Sequence, residues 1–341
     1  MLAVRARLQN AEKLKDYLKK RSLLDKNHTL IRRNLFIYFP IAGKASKKTL
    51  RSKDFKEKLV ELGASLSKME FEVARERKER VIPKDGERFS KSYDILGNIA
   101  VIDATGSSAR ALASRIMAEN KGVGTVLRKG GPISGKYRTR KHIYVMGRRN
   151  YISTYKENGS LFQFDVRKAF FSSRLAFERK RITSISKDGE KVIVMFAGVG
   201  PFAIELAKSH RSSHIIAIEL NKSACEYMEE NIRLNKVGNV IVECGDVRKK
   251  AKKYAGFADR VIMPLPMSSM EFLNELNTVA AKACIVHLYS FSGNEEPFRD
   301  LKEKVHAFFF SKGRSVKFIG ERIVRPYSAR EAEVAIDFII S

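Results

Sequence analysis

The chain has 341 residues, 44% of them hydrophobic, enough for large cores and two or three domains. Lys plus Arg number 66 against 38 Asp plus Glu, a formal net charge of +28, which points to a polyanionic partner, nucleic acid first, with a generally basic solvated surface as the plainer reading. Three scattered cysteines (Cys225, Cys244, Cys284) without C-x-x-C spacing argue against a disulfide framework and a zinc site, and no apolar run reaches the ~18 residues of a membrane span, so a cytoplasmic protein with no leader, membrane contact or metal is expected.

Residues 1–65 read as a small basic α+β module. Residues 1–8 alternate enough for a strand, Asn10 can cap a helix running to Leu24 with Leu14 and Leu18 inward, residues 35–41 form a strand, and residues 55–62 a second helix. It is either a structural appendage or an auxiliary RNA contact. Residues 66–92 are dense in charge and broken by Pro83, Asp85 and Gly86, a linker pattern.

Residues 93–165 form a middle module: a strand at 99–102, a helix at 109–120 and a strand at 125–127. The interval 128–149 then holds eight Lys or Arg and no acid, interleaved with Gly130, Gly131 and Gly135. A glycine- and arginine-rich loop can wrap a phosphate backbone or stack on a base, which makes Lys136, Arg138, Arg140, Lys141, Arg148 and Arg149 candidate RNA contacts; a solvated surface loop is the alternative. Residues 151–155 and 161–164 pair around Glu157-Asn158-Gly159, a hairpin turn.

Residues 166–341 form the largest module, in which strands and helices alternate, implying a mostly parallel sheet with helices on both faces. Its centre is the stretch from Lys191 to Asn221. The apolar run at 191–196 is a buried strand. Gly198 and Gly200 permit a tight turn and close ligand approach, Pro201 opens a helix, and a second apolar strand ends on Glu219. That acid lies 21 residues after Gly198, near the ~20 expected of a group that accepts from ribose hydroxyls. The bulky Phe202 stands where a pyrophosphate site would want a small residue, so a nucleoside cofactor without phosphates, S-adenosyl-L-methionine, is preferred; an α/β core whose turn simply needs glycine is the other reading. A helix at 223–235 with Met228, Ile232 and Leu234 available for burial, strands at 240–244, 259–263 and 283–289, helices at 269–281 and 297–309, and two last strands follow. The final one, 334–340, is expected as an edge or antiparallel partner. Glu219, Asn221, Asp246 and the Pro264-Leu265-Pro266 turn fall at the carboxyl ends of successive strands, the edge at which such sheets bind ligands.

At these residues the chain resembles the archaeal and eukaryotic tRNA (guanine-N1)-methyltransferases that act at position 37. The resemblance covers nearly the whole chain and is most specific in Ser172-Ser-Arg-Leu-Ala-Phe-Glu-Arg179, Phe196-Ala-Gly-Val-Gly-Pro-Phe202 and Glu321-Arg-Ile-Val-Arg-Pro-Tyr-Ser-Ala-Arg-Glu331. It implies a class I methyltransferase domain (Rossmann-like, doubly wound) preceded by two small RNA-binding modules, acting as a monomer on the anticodon stem-loop of a tRNA such as tRNA-Phe. It also implies roles: Glu178 as the base that removes the guanine N1 proton, Arg138 as the contact to O6, Arg174 in the segment closing over cofactor and base, and Phe196, Gly198, Gly200, Glu219, Asn221 and Asp246 around the cofactor. Glu178 by itself would read as a surface ion pair with Arg179 or Arg181. Two positions depart from the family pattern. Val194 stands where the first strand usually carries an acid, and Pro264 where an asparagine is usual. Proline can donate no hydrogen bond to a base edge. This combination resembles the archaeal subgroup that also methylates C7 of 4-demethylwyosine. The aminocarboxypropyl transferase of the same pathway, a guanine-N1 enzyme without the second activity, and a tRNA-binding protein with a degenerate site stay open.

Overall fold

In the computed structural model, which describes residues 2–7, 10–25, 30–33, 36–42, 49–50, 52–68, 93–132, 135–293, 296–328 and 330–341, the chain divides into two units, Met1–Gly86 and Glu87–Ser341. In the first, strands β1 (Leu2–Arg7), β2 (Ile31–Arg33), β3 (Phe36–Pro40) and β4 (Ala64–Lys68) form an antiparallel sheet in the order β2-β3-β1-β4. Leu14 and Leu18 of helix α1 (Ala11–Lys20) and Phe55 and Leu59 of helix α2 (Lys53–Glu61) share one core with Val4, Ile37 and Phe39. The first helix stops at Lys20 rather than Leu24, because Leu24 is drawn into a β-bridge with Ile41. Asn10 makes no side-chain cap there; Ser52 does so for α2, accepting from the Phe55 N–H. Residues 66–68, expected in the linker, belong to β4. Its Ala-Ser-Leu-Ser-Lys sequence offers a single large apolar side chain, too faint an alternation to read. The rest of the expected linker, residues 69–92, lies outside the described residues.

The second unit opens with a four-stranded sheet, β5 (Tyr93–Leu96), β6 (Ile99–Ile102), β7 (Thr125–Lys129) and β8 (His142–Gly147), in that order. Strands β6 and β7 are parallel and joined through helix α3 (Gly106–Glu119). The basic stretch is thus only in part a loop: residues 142–147 pair antiparallel with β7. Alternation sorts the sheet's side chains. Ala100, Ile102 and Val126 pack with α3, whereas Ile99, Val101 and Leu127 turn to the other face. There they meet Phe162 and Phe164 of the hairpin β9 (Ile152–Glu157) and β10 (Ser160–Asp165), together with Val199, Ile204 and Ala224 of the following region. The boundary expected at residues 165–166 is therefore crossed by a continuous core, and the middle and last modules are one packed body.

The large sheet comprises β11 (Lys191–Met195), β12 (His214–Glu219), β13 (Val240–Cys244), β14 (Ala258–Met263), β15 (Ala280–Gly293), β16 (Val316–Pro326) and β17 (Glu331–Ile340), ordered β13-β12-β11-β14-β15-β17-β16. This is the seven-stranded class I arrangement. Its core splits by residue parity: Ile193, Met195, Ile216 and Ile218 pack on one face, Val192, Val194, Ile215 and Ala217 on the other. Helix α4 (Ala176–Ile185) precedes β11, α5 (Pro201–Ser209) and α6 (Lys222–Leu234) follow β11 and β12, and the short α7 (Val247–Lys250), α8 (Leu273–Val279) and α9 (Arg299–Ser311) follow β13, β14 and β15. The helix expected from Ser269 begins as a 3-10 turn and ends at Val279. Of the residues expected inward on α6, Met228 is buried and Ile232 packs against the core, but Leu234 is exposed. The last strand is antiparallel and lies inside the sheet, not at its edge. Its nearly unbroken apolar run needs cover on both faces, whereas β16 alternates half-buried and exposed residues and takes the edge.

One side chain pins the hairpin to this domain. Asn231 of α6, fully buried, donates to the carbonyls of Gln163 and Val199 and accepts from the Gln163 N–H at 2.7 Å. Its replacement by Ala strands three backbone groups, the Val199 carbonyl fully buried and the two of Gln163 half-buried. Asn231→Ala should lower stability by about 2–4 kcal/mol, read as a lower thermal midpoint with unchanged far-ultraviolet circular dichroism at room temperature.

Candidate active site

The glycine turn after β11 is closed by a carboxylate. Glu219, at the end of β12, accepts from the Gly198 N–H at 2.7 Å and from the Asn221 N–H at 2.8 Å. Burial pushes its pKa up, and the backbone donors only partly counter this. A carboxylate has about four lone-pair sites, so Glu219 retains acceptor capacity for a ribose. At Gly198 (φ +59°) a Cβ would meet only the Phe170 carbonyl oxygen, at an unstrained 3.7 Å. Gly200 (φ +89°) differs: a Cβ there would meet the Met228 side chain at 2.8 Å. The first glycine leaves room for a ligand, and the second serves helix packing. Phe202 fills the core behind the turn, consistent with a cofactor lacking phosphates.

Three further side chains complete this edge. Asn221 caps α6 through the Ser223 N–H and donates to the Lys168 carbonyl at 2.6 Å. Asp246 caps α7 through the Arg248 N–H. Phe196, in the left-handed region at φ +57°, stacks edge-on against Phe272, over which the Arg248 guanidinium lies at 4.3 Å. The set suits a neutral nucleoside: an acid for hydroxyls, a second acid for an exocyclic amine, and aromatic surface for a base. Val194 is fully buried among Phe202, Ala217 and Ile262 and fills the core.

A cavity of about 290 Å³ lies between the middle sheet and residues 169–174. Arg138, Arg140, Arg174 and Arg325 line it, with Phe170 and Tyr327 as aromatic walls. Arg174 is held by Asp94 at 2.8 Å and Arg325 by Glu333 at 2.6 Å. Among the described residues no carboxylate pairs with Arg138 or Arg140, and the Nε atoms of both, like Nδ1 of His142, are buried without a partner. Arg138 sits at φ +53° with its guanidinium 6.0 Å from the Phe170 ring. Burial pushes its pKa below the ordinary guanidinium value, with Glu333 and Tyr327 opposing. Unpaired, partly buried donors facing a cavity are built to receive an acceptor. Of the other basic candidates, Lys136 lies over Tyr137, Arg149 lies over Tyr144, and Lys141 and Arg148 contribute backbone bonds to the strand pairing; none of these four lines the cavity.

Glu178 is not the surface ion pair its position suggests. It is 2% exposed, off the cavity wall, and accepts from Arg181 (2.8 and 3.0 Å), from the Tyr289 hydroxyl (2.8 Å) and from Arg322 at 3.4 Å. Its neighbour Arg179 turns the other way, binding Glu157, the Ser172 carbonyl and Glu205. Burial and Glu157 push Glu205 up to about 8. The Pro264-Leu265-Pro266 turn is pinned by Ser269, whose hydroxyl donates to the Met263 and Leu265 carbonyls, and by the Phe291 N–H to Pro266. No hydrogen bond or ion pair joins Glu178, Arg138 and Pro264 to one another. Sequence reasoning missed Asp94, Tyr289, Arg325 and Glu333. The only signal for any of them was the terminal segment 321–331, which carries Arg325.

Residues 153–311 match the family model described as TRM5/TYW2 methyltransferase domain. The chain is 38% identical over 264 residues to the tRNA (guanine(37)-N(1))-methyltransferase Trm5b of Pyrococcus abyssi, covering 76% of this chain and 78% of that protein. It is 29% identical to the tRNA (guanine(37)-N(1))/4-demethylwyosine(37)-methyltransferase Taw22 of Nanoarchaeum equitans, over 73% of this chain and 99% of that one. The crystal structure of the Pyrococcus abyssi Trm5b superposes with a TM-score of 0.70 at 33% identity, covering 100% of this chain and 99% of that one.

Because burial raises the pKa of Glu219, its ionised form is lost at a higher pH than that of an ordinary carboxylate. S-adenosylmethionine binding, followed by titration calorimetry, should weaken as the pH falls, and should begin to do so above the range in which an ordinary carboxylate takes up its proton. Glu219→Gln should bind roughly tenfold more weakly and without that pH dependence.

Proposed function

The chain belongs to the TRM5/TYW2 methyltransferase family, and we propose that it methylates position 37 of tRNA, at N1 of guanosine and at C7 of 4-demethylwyosine, the latter giving isowyosine. Use of S-adenosylmethionine and action on N1 are supported by the 38% identical relative named for that reaction and by the carboxylate-closed glycine turn. The second activity rests on one residue, Pro264, where the family pattern has asparagine. A proline cannot donate to the guanine edge, and its loss of polarity suits a wider, tricyclic base. Recognition through the anticodon stem-loop of tRNA-Phe by a monomer, with the N-terminal unit and the basic strand-loop at 128–149 as RNA contacts, completes the reading and fits a net charge of +28.

Gly198, Phe196, Glu219, Asn221 and Asp246 would hold the cofactor, which supplies an activated methyl on its sulfonium. Neutral guanine carries a proton on N1, so nucleophilic attack requires its removal. Glu178 takes that proton as the N1–C bond forms and the S–C bond breaks. Arg138, unpaired in the cavity, stabilises the charge that gathers on O6. O6 and N1 are on neighbouring ring atoms, so both groups serve one edge of a base taken out of its stack. Catalytic contacts of this kind are commonly long in a free enzyme and tighten in the complex.

The test is nucleoside mass analysis of two tRNA-Phe substrates, one with guanosine and one with 4-demethylwyosine at 37. A methyl gain on both is expected. A gain on guanosine alone removes the second activity, and an aminocarboxypropyl gain replaces the reading altogether. Pro264→Asn should cut C7 methylation at least tenfold more than N1 methylation; equal losses would dissociate Pro264 from base choice.

A further inference from the structure

Glu178 ends a chain of buried polar groups that runs through the sheet. Arg181, on the same helix, gives Glu178 Oε2 two bonds and sends its remaining Nη1 to Asp337 Oδ2 at 2.5 Å. Asp337 belongs to the interior strand β17, where burial is opposed by His287 and Arg181, which hold its carboxyl down at about 2. Its Oδ1 lies 2.7 Å from His287 Nδ1. His287 Nε2 lies 2.6 Å from Arg260 Nη1. Arginine can only donate, so Nε2 accepts and the imidazole proton sits on Nδ1, aimed at Asp337. Arg260 is fixed in turn by two bonds to Glu190 at 2.7 and 2.8 Å. Room for the Asp337 carboxylate comes from Gly320 in a bulge of β16, where a Cβ would stand 3.2 Å from Oδ2.

The two oxygens of Glu178 are treated unequally. Oε2 receives Arg181 twice and the Tyr289 hydroxyl once. Oε1 has one long contact, Arg322 at 3.4 Å. We propose that Arg181 and Tyr289 are positioning residues that saturate Oε2 and so leave Oε1 as the atom that accepts the substrate proton, with Asp337 and His287 setting the guanidinium. This rests on the reading of Glu178 as the base. Arginine does not give up its proton, so the chain is a clamp and carries no proton away; the proton rests on Oε1 until product leaves.

The experiment measures single-turnover methylation of guanosine-37 tRNA at saturating S-adenosylmethionine for Tyr289→Phe and Arg181→Lys, each alone and combined with Glu178→Gln. Either single change should slow the chemical step roughly tenfold with the KM for tRNA unchanged. In the Glu178→Gln background neither should slow it further, because the group they orient is already gone. Equal losses in both backgrounds, or full rate in Tyr289→Phe, would overturn the proposal; Tyr289→Phe removes one oxygen and preserves the packing if Arg181→Lys fails to fold. Full rate in Glu178→Gln alone would instead overturn the role of Glu178 itself.

Discussion

Charge taken out of water has to be paired, and that constraint organises the functional half of this molecule. Glu178, Arg179, Arg260 and His287 are all essentially buried, and each is held by an opposite charge or a directed hydrogen bond. An unpaired charge at such depth would cost several kcal/mol. The pairing therefore dictates where helix α4 lies relative to strand β17, since Arg181 has to meet both Glu178 and Asp337. The same rule places the next arginine. Arg179 faces the opposite side of α4, where Glu157 of the hairpin meets it. One helix, with Arg179 and Arg181 on either side of Lys180, thus ties the hairpin to one side and the last strand to the other.

The groups left without partners mark where the molecule expects something else. Arg138 and Arg140 keep buried, unbonded nitrogens beside the cavity, while Arg174 and Arg325 on the same wall are paired. The glycine turn follows the same division. A Cβ at Gly200 would run into Met228, whereas one at Gly198 would meet only the Phe170 carbonyl at ordinary contact distance. That turn lies at the edge at which the parallel strands end. An α/β sheet presents its ligand site there because the strand ends and helix starts leave backbone groups free.

Much of this was legible from the chain. The strand, turn, helix, strand and acid of residues 191–219 follow from β-branched runs, two glycines and spacing, and the hairpin from Asn158-Gly159. Weak or conflicting local signals misled elsewhere. Strand β4 has one large apolar residue. Strand β8 lies inside a basic stretch whose composition reads as loop until β7 is there to pair with it. Leu234 looks inward by periodicity, yet α6 ends before it is covered. The boundary at residues 165–166 rests on composition, which is blind to Phe162 and Phe164 packing against Val199 and Ile204.

By itself the sequence determined the class of fold and the expected cofactor edge, because each is carried by residues close together in the chain whose type and spacing have local consequences; Glu178 stood out only through the family resemblance of residues 172–179. What only the tertiary structure decided is the surroundings of that residue. Glu178 and Arg181 are neighbours in sequence, but Tyr289, Arg322 and Asp337 lie 111, 144 and 159 residues from Glu178. They reach it because β17 inserts between β15 and β16. Strand order in a sheet is set by which faces can be buried together, a property of the assembled layers that no short window of sequence contains.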